Sequence, residues 1–302
     1  YELGWAYTEL GKTTEAVAAF RKLAKDYSDS PLAGEALFRV GESWYDAEDY
    51  SKAATAYGET QRKAPGTPIA EKALHKLGWC HLKAEDYGKA AAAFGTQLSE
   101  HPDGELAGDA QFLQGECQFK QDQWKPAQEL YAKVIATKNP NYAALALYRS
   151  GECAGKLEDW PASQKFHQQV LNDYDNFEMR PEARYGVAWA LQSQNKLDDA
   201  VQAYEKVTEE TQTETAAKAR FMIGECHFAQ KNHKEATKHF LKGAFAYGHK
   251  EWSAMSFFEA ARCFEVLKDV DQAKNCYQQL VEKYPAHQKV SDAKKRLAAL
   301  GN

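Results

Sequence analysis

Ala36-Leu37-Phe38-Arg39-Val40-Gly41-Glu42-Ser43-Trp44-Tyr45, then Asp49-Tyr50-Ser51-Lys52-Ala53, then Tyr57 and Pro65, is the stretch that decides the fold. Its spacing returns along all 302 residues. A small marker residue stands at Gly4, Gly41, Gly78, Gly115, Gly151, Ala188, Gly224 and Ala261, with steps of 36 or 37. A second small residue precedes most markers by five, as Ala36, Ala73, Ala110, Ala146, Ala183, Ala219 and Ser256 do. A third follows by 12: Ala16, Ala53, Ala90, Ala127, Ser163, Ala200, Ala236 and Ala273. Self-similarity at a period of roughly 20–50 residues marks stacked supersecondary units rather than a single core. The polar breaks between the small positions, such as Ala47-Glu48-Asp49 and Gln194-Asn195-Lys196, divide each unit into two helices.

Large rings complement the small residues. Phe20, Tyr57, Phe94, Tyr131, His167, Tyr204, Phe240 and Tyr277 each lie four positions after the recurring small residue. Small against large across a helix pair is how closely packed hairpins reach interior density. Pro65, Pro102, Pro140 and Pro285 fall where a second helix must end, because proline cannot continue it. The expected fold is therefore all-α, a right-handed superhelical α-α solenoid over residues 1–302 with about eight hairpins. A capping helix is expected within 287–302, from about Ser291 to Leu300, with Lys294, Lys295 and Arg296 on its polar face.

The pattern resembles the tetratricopeptide repeat along the whole chain. The family unit is about 34 residues; the constant 12-residue step here places the extra length between hairpins. Tyr27-Ser28-Asp29-Ser30-Pro31-Leu32-Ala33-Gly34-Glu35-Ala36-Leu37, partly echoed at Tyr284-Pro285, is similar to connections in bacterial cell-envelope members, the outer-membrane assembly lipoproteins and the proteins that coordinate envelope constriction. That resemblance implies a bacterial periplasmic or cell-envelope location, with the cytoplasm as the alternative. Tyr1 lies only three residues before its marker, so the chain is expected to be a piece of a longer array, open to end-to-end self-association.

The family resemblance implies that the first helix of each hairpin lines a concave groove. Its groove positions fall three before and one, four and five after the marker. They select Phe38, Glu42, Tyr45, Trp79, Phe112, Glu116, Phe119, Tyr148, Glu152, Tyr185, Trp189, Phe221, Glu225 and Phe228. Rings alternating with carboxylates suit a protein or peptide with apolar anchors and basic residues. The alternatives are carbohydrate or cell-wall binding by ring stacking, or a scaffold serving an activity elsewhere in a larger chain. Glu116 with Lys120, and Glu152 with Lys156, also read as ordinary helix-surface pairs worth about 0.3–0.5 kcal/mol each.

Other chemistry is not indicated. A net charge of −5 disfavours a general nucleic-acid binder, and no run reaches the ~18 apolar residues of a membrane span. Cys80, Cys117, Cys153, Cys226 and Cys263 occupy one small-residue slot, two after the marker, where Ala6, Ser43 and Ala190 stand elsewhere, so they read as packing thiols. His227, His233 and His239 lack the i, i+4 spacing of a helical metal pair. Gly11-Lys12-Thr13 lacks the earlier glycine of a phosphate-binding loop, with alanine at position 6. No nucleophile, base and orienter group together, so the expectation is a non-catalytic scaffold with no cofactor and no metal.

Overall fold

A computed structural model describes residues 1–301. Among them are seventeen α-helices and no strand. Two units divide between Cys153 and Ala154.

In the first unit, α1 (Glu2–Glu9) pairs with α2 (Thr13–Asp26), α3 (Leu32–Asp46) with α4 (Tyr50–Lys63), α5 (Pro68–Lys83) with α6 (Tyr87–Glu100) and α7 (Ala107–Lys120) with α8 (Trp124–Ala136). Helix α9 (Ala143–Lys156) carries the division near its end. The second unit continues with α10 (Trp160–Asp173), α11 (Arg180–Ser193), α12 (Leu197–Glu210), α13 (Glu214–Ala229), α14 (His233–Ala246), α15 (Lys250–Val266), α16 (Val270–Lys283) and α17 (Val290–Leu300). The last of these is the expected C-terminal helix, packed on α16. Within each unit a helix packs on its neighbours in sequence; α3 also touches α5, α11 touches α13, and α13 touches α15. The chain is thus an all-α helical repeat.

The hairpin turns share one backbone device. Glu48, Glu85, Asp122, Glu158, Asn195, Lys231 and Lys268 take positive φ, as Gly11 does in the first turn. A left-handed residue just past a helix lets the following amides return to its last carbonyls. In the second hairpin the Glu48 amide donates to the Tyr45 carbonyl and the Asp49 amide to the Trp44 carbonyl, both at 2.9 Å. Asp49, Asp86, Asp159 and Asp269 then cap the next helix, each accepting an amide three residues on.

The marker is small because a ring lies against it. A Cβ added at Gly41 would meet the Tyr57 ring at 2.5 Å, and one at Gly78 would meet Phe94 at 2.5 Å. The four core tyrosines differ in where the hydroxyl finds its acceptor. Where the marker is glycine, the hydroxyl donates to the carboxylate one position after: Tyr57 to Glu42, and Tyr131 to Glu116, both at 2.5 Å. Where it is Ala188 or Ala261, the hydroxyl meets the residue four positions after: Tyr204 donates to Gln192 and Tyr277 to Glu265, both at 2.8 Å. The acceptor moves by three residues, close to one helical turn.

All six cysteines are buried free thiols. Burial pushes the thiols of Cys80, Cys117, Cys153, Cys226 and Cys263 up to about 12, and that of Cys276 to about 11. Such groups stay protonated and pack as small hydrophobes.

Candidate functional site

The rings three before the marker lie largely in the core. Phe38, Phe112, Tyr148 and Phe221 are 5–8 % exposed. Phe38 lies 5.4 Å from Tyr57, Phe112 5.8 Å from Tyr131, and Phe221 5.3 Å from Phe240 between ring centroids. Tyr185 takes the same seat, 5.3 Å from Tyr204 and half-buried. These are aromatic couples inside a hairpin. Phe38, Phe112 and Phe221 pack against the core ring of their own hairpins, and Tyr148 is buried to a similar degree, so each presents little of its surface on the groove side.

The later positions remain accessible. Tyr45, Trp79, Phe119 and Phe228 are half-buried and Trp189 is 38 % exposed. Each half-buried ring has a specific neighbour. Tyr45 meets Tyr50 edge-on at 5.3 Å, Phe119 meets Trp124 at 5.0 Å, and Phe228 meets His233 at 4.9 Å. The Trp79 indole N–H donates to His75 Nε2 at 3.0 Å.

The carboxylates are already occupied. Glu42 accepts the Tyr57 hydroxyl and lies 3.4 Å from Lys76 Nζ. Glu116 accepts Tyr131 and two bonds from the Arg149 guanidinium, at 2.9 and 3.2 Å, in place of the expected Lys120 pair. Arg149 also reaches Glu152 at 2.6 Å. The same cations cover the rings: Lys76 sits 4.8 Å from the Tyr45 centroid and Arg149 5.0 Å from Phe119. In the second unit Lys218 covers Tyr185 at 4.5 Å and Arg262 covers Phe228 at 5.3 Å. Lys76, Arg149 and Lys218 stand outside the groove register and so went unread in the sequence, whereas Arg262 stands in it, one after Ala261. Their signal was present: Lys76 and Arg149 each stand two before a marker, about one repeat beyond the glutamate they pair with.

Glu225 differs. Burial, with Glu259 nearby, raises its carboxyl to about 7, and Arg262 only partly opposes this. Arg262 is bound to Glu259 instead, at 2.7 Å.

Two hollows lie on these faces. In the first unit Tyr45, His75, Lys76, Trp79 and Lys83 line one of ≈ 330 Å³. In the second, Phe258, Arg262, Lys289, Asp292, Lys295 and Arg296 line another of ≈ 360 Å³, a mainly basic site that sequence reading did not single out. Among the described residues no three His, Cys, Asp or Glu side chains gather as a metal would require. No described helix is long and apolar enough to cross a membrane.

Paired helices, small-against-ring packing and a side-chain-lined first-helix face define an all-α repeat protein. Family models described as tetratricopeptide repeat match residues 1–68, 109–141, 185–249 and 255–287. The chain belongs to the tetratricopeptide repeat family, whose members are generally non-catalytic modules for protein–protein interaction.

Solved structures share the fold. A tetratricopeptide repeat protein from Parabacteroides merdae ATCC 43184 is 16% identical with TM-score 0.56, covering 89% of this chain and 99% of its own. The C-terminal part of a TPR repeat-containing protein from Cytophaga hutchinsonii is 14% identical with TM-score 0.66, covering 85% and 98%. Pseudomonas aeruginosa pilF is 17% identical with TM-score 0.54, covering 75% and 97%. No curated protein sequence matches significantly.

Proposed function

We propose that this chain is a non-catalytic binding scaffold, and that the hollow on α3 and α5 receives an acidic protein segment with apolar anchors. One observation carries the reading. The carboxylate and imidazole acceptors by the hollow are engaged within the protein, and Lys76 is shared between Glu42 and the Tyr45 ring, which leaves the Trp79 ring and the Lys83 ammonium as the groups best placed to meet a ligand. Tyr45 and Trp79 offer apolar surface, and Lys76 and Lys83 offer positive charge. A carboxylate beside a leucine or an aromatic residue complements that lining. The basic partner expected from Glu42, Glu116 and Glu152 is not favoured here, because Lys76, Arg149 and the core tyrosines already satisfy those groups.

The test uses two fluorescent ten-residue peptides, one alternating Glu with Leu and the other Lys with Leu, titrated with the intact protein by anisotropy. The acidic peptide binds more tightly, its affinity falls as salt rises, and Trp79→Ala weakens it by about tenfold, roughly 1.4 kcal/mol. Trp189→Ala, outside the hollow, leaves it unchanged. Equal binding of the two peptides, or preference for the basic one, rules the reading out.

A further inference from the structure

The ring that forms one wall of this hollow is held by a nitrogen with two claimants. His75 is 6 % exposed, between the Phe94 ring at 5.7 Å and the Trp79 ring at 6.5 Å. Its Nδ1 lies 3.2 Å from Gln97 Oε1, and in the tautomer with the hydrogen on Nδ1 it donates to that oxygen. Its Nε2 accepts the Trp79 indole N–H at 3.0 Å and therefore carries none in that state. The same Nε2 stands 3.1 Å from Asp109 Oδ2. A lone pair facing a carboxylate oxygen at that distance is an unfavourable contact, and a proton on Nε2 turns it into a charge-assisted hydrogen bond. Nε2 can serve the indole or the carboxylate, not both.

We propose that His75 is a proton-dependent positioning residue for Trp79. The neutral imidazole holds the indole N–H through Nε2. A proton taken up from solvent at Nε2 is donated to Asp109, and the indole loses its acceptor. Trp79 is then free to turn within the hollow, whose shape thereby depends on pH.

The surroundings set the balance. Phe94 and Gln97 face the imidazole from α6, and Asp109 faces it from α7. The hydroxyl of Tyr142 donates to the other oxygen of Asp109 and keeps that carboxylate oriented. When the imidazole donates to it, that bond and the Tyr142 hydroxyl hold the Asp109 carboxyl below its usual range against burial, so the acceptor of the second state is ionised. Lys76 and Lys83 on α5, with Tyr45 from α3, share the hollow and oppose a further positive charge. Glu42 partly offsets Lys76, and Glu71, one turn earlier on α5, is turned to the Leu106 amide. The effect on partner binding rests on Trp79 being an anchor, as proposed above; the exchange at Nε2 does not.

Indole ¹⁵N–¹H resonances of the intact protein, followed from pH 8 to pH 5 without any partner, test the exchange separately. Seven tryptophans give seven signals, and Trp79→Phe identifies one. The Trp79 signal shifts on acidification with the same midpoint as the His75 ring carbons. In His75→Phe the pH response disappears; this variant folds, because Phe38, Phe112, Phe221 and Phe258 fill the same slot in other repeats. In Asp109→Asn the midpoint falls, since the imidazolium loses its counter-charge. A Trp79 signal that ignores pH, or a response that survives in His75→Phe, overturns the proposal. An unmoved midpoint in Asp109→Asn overturns Asp109 as the competing group.

Discussion

A buried tyrosine hydroxyl finds its acceptor wherever the first helix offers one, one residue after the marker at Glu42 and Glu116 or four after at Gln192 and Glu265, where Trp189 and Arg262 leave no acceptor at the nearer place. In the repeats marked by Gly41 and Gly115, Tyr57 and Tyr131 reach the next residue, and in those marked by Ala188 and Ala261, Tyr204 and Tyr277 reach one turn further on. The acceptor chemistry follows suit. Repeats with glycine carry Glu42 or Glu116 at the near position, and repeats with alanine carry Gln192 or Glu265 at the far one. Gly115→Ala therefore offers a test. Its Cβ would meet Tyr131 at 2.7 Å, and the far position there is Phe119, which accepts nothing. Overpacking and a lost buried hydrogen bond each cost about 1–3 kcal/mol. Alanine's better helix propensity returns about 1 kcal/mol. A net loss of about 1–5 kcal/mol is expected in urea unfolding; unchanged stability would show that the ring is not seated against the marker.

At the scale of helices, charge is shared between neighbouring elements. Helix α13 brings Glu225 toward Glu259 and Arg262 on α15, and the one guanidinium is committed to Glu259. The Glu225 carboxyl is raised from 4.5 to about 7. In that window the unfolded chain has released a proton that the folded chain retains, so stability falls as pH rises from 4.5 to about 7. The contribution is fully present below 4.5 and lost above about 7. Glu225→Gln removes the penalty. Its stability should match wild type near pH 4 and exceed it at pH 8 by on the order of 1–2 kcal/mol after allowance for solvent reach, read as a higher thermal midpoint at pH 8 only. A constant difference between the two pH values would contradict this origin.

The same scale shows what was legible in the sequence. Helix pairs and the C-terminal helix could be read from spacing because small residues, rings and breaks all recur at one register. Burial at the first helix could not. Phe38 and Tyr45 are seven residues apart, roughly on one stripe, yet the first is captured by Tyr57 and the second stays half-exposed. Which ring is drawn inward depends on the partner helix. The ion pairs were hidden for a similar reason. Lys76 and Arg149 reach glutamates on the preceding repeat, a contact that no pattern within one helix reveals.

Across the molecule, a net charge of −5 coexists with local basic hollows in each unit. Global charge would repel an acidic segment weakly at a distance, while Lys76 and Lys83 attract it within a Debye length of roughly 8–10 Å. Recognition of the kind proposed thus depends on a few cations beside exposed rings. The most direct measurement is the affinity ratio of the Glu-Leu and Lys-Leu peptides for wild type and for Lys83→Glu, whose side chain is exposed. The account predicts that the wild-type preference for the acidic peptide falls by at least about tenfold, or inverts, in the variant. A ratio left unchanged by the charge reversal would contradict it.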